Sequence, residues 1–164
     1  MTVRIGLNTG EVVVGNVGGE DRFDYSAIGD GVNLAARLEP ANKSYGTLTM
    51  ASEFTVEAAR GSYRLRELDL VAVKGKARPV KVYEVLGFGD EEFSPGKEEA
   101  LEHFESGLGA YRSQDWDLAR KYFEAALEAD PDDGPSRVYL DRTLEYAADP
   151  PPTDWDFVVR REVK

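Results

Sequence analysis

Residues 24–39 read Asp-Tyr-Ser-Ala-Ile-Gly-Asp-Gly-Val-Asn-Leu-Ala-Ala-Arg-Leu-Glu, and the change of period inside this stretch sets the fold class. Up to Ile28 the chain suits an extended segment beginning near Phe23. Beyond Gly29 the period becomes helical. Asp30 suits an N-cap, and Val32, Leu34, Ala35 and Leu38 supply one apolar face. Pro40 is expected to stop this helix or to mark its last turn, because proline lacks the N–H and crowds the preceding turn.

On the N-terminal side, residues 3–7 and 11–17 alternate as strands, with Val3, Ile5 and Leu7 before Val12 and Val14. Asn8-Thr9-Gly10 between them is a turn sequence, so a β-hairpin is expected. Gly15, Gly18 and Gly19 then loosen the chain. On the C-terminal side, residues 47–51 read as a buried strand and Ser52 as the N-cap of a short helix ending near Gly61. Residues 63–73 and 80–88 read as two strands joined by the basic turn Lys74-Gly75-Lys76-Ala77-Arg78-Pro79. Helices and strands mix without a steady βαβ rhythm, which gives an α+β class.

The period changes again after residue 90. Residues 97–112, 117–130 and 135–147 each carry an apolar stripe at helical spacing. Pro150-Pro151-Pro152 must be extended. Trp155 and Phe157 are expected to fold back onto the helices. Charge changes at the same place. Of 20 basic and 31 acidic residues, residues 1–90 hold 11 and 12, and the remainder 9 and 19. The organisation expected is residues 1–90, a linker over 91–96, a helical segment over 97–148 and a Pro-rich extension over 149–164.

So acidic a second segment opposes nucleic-acid binding and docking on anionic lipid. There is no run of 18 apolar residues for a membrane span and no secretory signal at the start. The chain has no cysteine, so disulfides and thiolate metal sites are excluded. A cytoplasmic setting is expected, which also suits the cytoplasmic part of a membrane-anchored protein.

Two features carry candidate chemistry. Asn33 and Arg37 are four apart and share a helical face, so an amide and a guanidinium would project together from an otherwise apolar helix. That pair suits a ligand of sugar and phosphate, since arginine donates in a fork to phosphoryl oxygens and keeps its charge. From spacing alone the plainer alternative is favoured, with Asn33 a surface amide and Arg37 paired with an acid such as Glu39. Lys74-Gly75-Lys76 could bring two ammonium groups to a polyphosphate, or be a solvated basic turn. His103 and the aromatics Phe104, Tyr111, Tyr122 and Phe123 read as helix packing. Gly15 to Gly19 lacks the lysine and helix of a phosphate loop.

Taken in order, N-T-G, then Y-S-x-I-G-D-x-V-N-x-A-x-R-L, then K-G-K before the last strand resemble the second half of a class III adenylate/guanylate cyclase catalytic domain, over residues 3–88. The resemblance implies a partial, ferredoxin-like cyclase sheet with helices. It also implies conversion of a nucleoside triphosphate to its 3′,5′-cyclic monophosphate and pyrophosphate. By position, Asn33 would orient the ribose, Arg37 would stabilise charge on the α-phosphate, and Lys74 would hold the β/γ-phosphates. Ser26 falls at the base-reading position, where a hydroxyl resembles bacterial adenylate cyclases and favours ATP.

The family's two metal-binding aspartates, and the lysine that partners the base-reading residue, belong to the first half of such a domain. Asp21, Asp24 and Asp30 do not match them. Mg2+ or Mn2+ is thus expected for the complete enzyme, with ligands outside this chain, and the chain alone is expected to be inactive. In this family one domain gives the metal carboxylates and the other the Asn, Arg and Lys. A second cyclase domain is therefore the expected partner. A sheet lacking its first strands also exposes an edge, so a dimer or larger assembly is expected.

Residues 104–111 and 115–131 resemble one tetratricopeptide repeat through Tyr111, Ala119, Phe123, Ala126 and Pro131. The step from Tyr111 to Ala119 is one residue short of the usual pattern, so the inter-helix turn should be tight. The expected tail is a small all-α helical hairpin that packs on itself, on the cyclase part or on another chain. The leading expectation is a fragment of a bacterial adenylate cyclase. The alternatives are an interaction module that uses its helical tail, and a regulatory half that binds nucleotide without turning it over.

Overall fold

The computed structural model describes residues 2–17, 24–72 and 78–158. Strand β1 (Ile5–Leu7) is followed by β2 (Val13–Val17), β3 (Asp24–Ile28) and helix α1 (Asp30–Tyr45). Next come β4 (Thr49–Ser52), the short helix α2 (Glu53–Ala58), β5 (Tyr63–Val71) and β6 (Val80–Phe88). Three helices complete the chain: α3 (Pro95–Arg112), α4 (Trp116–Ala129) and α5 (Gly134–Ala148). The class is α+β. A four-stranded sheet runs in the order β1-β4-β6-β5, and β2 and β3 form a separate two-stranded ribbon.

The expected hairpin of residues 3–7 with 11–17 does not form. β1 instead pairs in parallel with β4, Ile5 opposite Thr49 and Leu7 opposite Ala51. β2 pairs antiparallel with β3, Val13 opposite Ile28. Asn8 shows why the turn is lost. Its amide donates to the Gly31 carbonyl at 3.0 Å, and its side-chain oxygen accepts from the Ser52 hydroxyl at 2.6 Å. The side chain that would have made a local turn ties the end of β1 to two distant elements instead.

Helix α1 lies against β1 and β4. Gly6 makes this approach possible, because a Cβ there would sit 2.4 Å from the Ala35 carbonyl oxygen and 2.5 Å from the Glu39 nitrogen. Leu34, Leu38, Asn42 and Tyr45 form the buried face. Asn42 donates to the Leu38 and Ile5 carbonyls, both at 3.0 Å, and accepts from the Thr47 hydroxyl at 2.8 Å. These bonds hold the last turns to the sheet and explain why α1 runs past Pro40 to Tyr45. Pro40 lies on the exposed side, where water reaches the carbonyl its ring leaves unpaired. The N-cap is Gly29, and Asp30 opens the first turn.

Between β5 and β6 the register shifts at Arg64/Leu65 and again at Glu67/Asp69. A bulge re-aims side chains, and here Leu68 and Asp69, adjacent in sequence, are both buried. The remaining helices close over this region. Ser52, Ser94, Asp115 and Asp133 cap α2, α3, α4 and α5 by accepting from Thr55, Lys97, Leu118 and Ser136 nitrogens. The turn from α3 to α4 is tight and passes through Gln114 with φ 58°.

One apolar cluster joins Leu34, Leu38, Met50, Leu68, Val80 and Val82 to Phe104, Tyr111, Phe123 and Tyr139. Trp155 folds back over the helices, its ring 5.5 Å from Tyr111 and 5.0 Å from Tyr146. Polar ties cross the same boundary. The buried Arg66 guanidinium meets Asp133 at 2.8 Å from its Nη1 and Glu84 at 2.8 Å from its Nε. Lys97 reaches Asp133 at 2.8 Å. Among the described residues no helix is long and apolar enough to cross a membrane.

Candidate functional site

The helical period divides α1 into two faces. Leu34 and Leu38 turn inward at 2% and 1% exposure, which leaves Asn33 and Arg37 exposed on the opposite side. One helical turn separates the two, about 6 Å along the axis. Among the described residues neither side chain has a hydrogen-bond or ion-pair partner, and Arg37 does not pair with Glu39. An unpaired guanidinium in water keeps its full donor set for a ligand.

Ser26 sits in β3, half-buried, opposite Gly15 of β2. β3 packs against α1 and runs into it through Gly29. Ser26 thus precedes the junction of β3 and α1, and Asn33 and Arg37 follow it. Lys74 lies outside the described residues, as do Gly75 and Lys76.

The start of α1 borders a cavity of about 290 Å³, lined by Asn8, Thr9, Glu11, Asp30, Gly31 and Phe54 among others. A larger cavity of about 630 Å³ lies between β5 and α3. Its arginines are already matched by carboxylates. Arg64 binds Glu98, Arg66 binds Glu84, and Arg112 binds Glu67. That leaves it little free positive charge for a polyphosphate, whereas Arg37 is unmatched among the described residues.

At the far end of α1 is a polar cluster that sequence reading missed. The Tyr45 hydroxyl donates to Asp69 of β5 and accepts from Arg142 Nη2 of α5 at 2.8 Å. Arg142 Nη1 also donates to Asp69 at 2.7 Å. Burial, helped by the Asp69 charge, pushes the Tyr45 phenol well above its ordinary value, so it stays a neutral donor. For Arg142 burial opposes the charge, but the partners Tyr45 and Asp69 outweigh it and the guanidinium stays protonated. An acid in a strand and an arginine in a helix carry no sequence sign of meeting. Only the β5 bulge, invisible in the period, turns Asp69 inward.

The chain is thus an α+β protein with a hydroxyl on β3, and with an amide and a guanidinium exposed on α1 that have no partner among the described residues. Residues 1–87 match the Adenylate and Guanylate cyclase catalytic domain family. "Adenylate cyclase, terminal-differentiation specific" of Dictyostelium discoideum is 35% identical over 144 residues, covering 86% of this chain and 7% of that one. Adenylate cyclase 1 of Rhizobium meliloti is 43% identical over 84 residues, covering 51% of this chain and 13% of that one. Among solved structures, the adenylyl cyclase CyaB from P. aeruginosa aligns at 36% identity and TM-score 0.44, over 55% of this chain and 45% of that one. The chain belongs to the class III adenylate and guanylate cyclase catalytic domain family. It spans a small fraction of the length of the curated relatives it matches, 7% and 13% for these two.

Class III cyclases generally use divalent metal ions. Among the described residues no three His, Asp or Glu side chains converge as a cation site. The described residues therefore do not fit the role of metal ligands.

Proposed function

We propose that this chain supplies the transition-state-stabilising face of an adenylate cyclase, forming 3′,5′-cyclic AMP and pyrophosphate from ATP in signal transduction. In that reaction the ribose 3′-oxygen bonds to the α-phosphorus while the bond from that phosphorus to the bridging oxygen of the β-phosphate breaks. Pyrophosphate leaves with the electron pair, and the 3′-hydroxyl proton is lost. Charge builds on the α-phosphate oxygens as this happens. Arg37 meets that charge with a fork of N–H donors, and preorganised donors of this kind count for most in phosphoryl chemistry. Asn33, one turn earlier, holds the ribose so that its 3′-oxygen lies in line. Ser26 reads the adenine, and Lys74 holds the β/γ-phosphates.

The observation that carries this reading is the pair Asn33 and Arg37, side by side on an exposed helical face and without protein partners among the described residues. A second cyclase domain would bring the metal-binding carboxylates opposite them, so that the lone chain is inactive. The exposed apolar side chains Ile5 and Leu7 of β1 and Val14, Tyr25 and Ile28 of the two-stranded ribbon support such a partner, a second copy included, because exposed apolar surface of this kind suits an interface. We further propose that α3 and α4 form a tetratricopeptide-like hairpin. The burial of Ala119, Phe123 and Ala126 in α4 supports that reading. The test of the activity is a cyclase assay on the chain mixed with a related cyclase half that carries the metal aspartates. cAMP formed only in the mixture supports the reading, and its persistence in Arg37→Ala contradicts it.

A further inference from the structure

The structure assigns to the Tyr45–Asp69–Arg142 cluster a positioning role, in which the helical tail holds the helix that carries Asn33 and Arg37. This rests on the activity proposed above. The two ends of α1 rest on different supports. Its first turn is tied by the Asn8 bond to Gly31, and its middle turns are seated on β1 through the approach of Gly6 to Ala35 and Glu39. Its last turn has a second support, from α5, at two points.

The first point is steric. Gly134 opens α5 against the end of α1, where a Cβ would lie 2.2 Å from the Tyr45 carbonyl oxygen and 3.0 Å from the Gly46 Cα. Only a residue without a side chain lets the two helix ends meet so closely. The second point is the Tyr45 hydroxyl, which donates to Asp69 and accepts from Arg142. The Arg142 guanidinium also lies 5.3 Å from the Tyr45 ring centre and 5.0 Å from that of Tyr139. A phenol so held, between a charged donor and a charged acceptor away from water, has a single favoured position.

Tyr45 is eight residues beyond Arg37 on the same helix, about 12 Å along its axis, with Pro40 between them. A tilt of the last turn therefore displaces the guanidinium that must meet the α-phosphate. Such geometry is sensitive, since a misplacement of about 1 Å can cost about a hundredfold in rate. The two parts also occur together elsewhere. The Dictyostelium match covers 86% of this chain, which takes it more than fifty residues past the 87 that the cyclase family matches. On this account the tail is a working part of the catalytic unit through α5.

Tyr45→Phe is the sharp test, because it removes one hydroxyl, keeps the ring, and leaves Arg142 paired with Asp69. Arg142→Met cuts both bonds. Arg64→Gln breaks a different tie between sheet and tail, the pair with Glu98, that does not touch α1. Turnover is measured in the mixture with the metal-bearing half, and amide exchange across α1 in the chain itself. Tyr45→Phe is expected to lower kcat about tenfold with KM for ATP nearly unchanged, the mark of lost transition-state positioning. It should also speed exchange in α1 but not in β5 or β6. Arg142→Met should do the same or more, and Arg64→Gln should do neither. A folded Tyr45→Phe chain with unaltered kcat, or with unaltered exchange in α1, overturns the inference. If the mixture with unaltered chain makes no cAMP, the activity reading fails instead. Exchange in α1 then decides the clamp alone, faster exchange supporting it and unaltered exchange overturning it.

Discussion

Arg37 and Arg142 are the same residue type with opposite surroundings. Arg142 is buried and bonded to an acid and a phenol. Arg37 is exposed, with no partner among the described residues. Removing an exposed, unpaired side chain disturbs folding little, within about 0.5 kcal/mol. Arg37→Ala should therefore leave the urea midpoint of the chain almost unmoved, while lowering turnover in the complemented assay at least about a hundredfold. Asn33→Ala should act in the same direction on turnover. A loss of activity accompanied by an equal loss of stability would point to a structural role for Arg37. Sequence spacing put this pair on one helical face, and the family resemblance, not the spacing, favoured a binding role over a surface amide with a paired arginine. The Tyr45–Asp69–Arg142 cluster was not visible, because its members are 24 and 73 residues apart and meet only in three dimensions.

At the scale of elements, α1 owes its place to the absence of a side chain at Gly6. Gly6→Val would push three carbons into the Ala35 carbonyl and the Glu39 nitrogen. Backbone cannot yield there cheaply, so the substitution should cost at least about 2 kcal/mol, read from the urea midpoint. An unchanged midpoint would mean that α1 is less firmly seated than its contacts indicate. The elements that sequence reading found well are those whose boundaries are set locally: the capped helices α2 to α5, and the alternating strands β5 and β6. Those it misassigned depend on distant partners. The Asn8-Thr9-Gly10 turn looked sufficient for a hairpin, yet the Asn8 side chain bonds to Gly31 and Ser52 and β1 pairs with β4. Pro40 looked like a stop, yet the bonds of Asn42 and Tyr45 carry α1 onward.

Across the whole molecule, the acidic second segment is matched to a basic side chain of the sheet. Asp133, at the start of α5, is 1% exposed and is held by Arg66 and Lys97. Breaking one partner of a buried pair leaves a stranded charge, so Asp133→Asn should cost about 3 kcal/mol in chemical unfolding. Burial alone would raise the pKa of Asp133. The Arg66 charge and the bonds from Lys97, Ser136 and Arg66 outweigh it and hold the carboxyl below its ordinary value. With the folded value lowered, its stabilisation is complete above the unfolded value of about 3.9 and fades as pH falls from there toward the folded value. Acid unfolding below about pH 4 should therefore be shallower in Asp133→Asn than in the unaltered chain. Equal slopes would show that Asp133 does not contribute to acid sensitivity.

The shared core bears on the division of the chain as well. Leu68 and Val80 of the sheet pack in one cluster with Phe104 and Tyr139 of the helices. The composition break near residue 90 marked a change of secondary structure and charge, and composition cannot report which surfaces then meet. Residues 1–90 produced alone should expose that cluster and self-associate, as light scattering would reveal. A monomeric, cooperatively folding fragment would mean that the sheet does not need the helices.

The central claim is that Asn33 and Arg37 form one half of a cyclase active site. The measurement that tests it most directly is cAMP formation from ATP and Mn2+ by this chain mixed with a related cyclase half that carries the metal aspartates. The claim requires activity in the mixture, none from either component alone, and its loss with Arg37→Ala. No cAMP from a mixture in which the two halves demonstrably associate would contradict it.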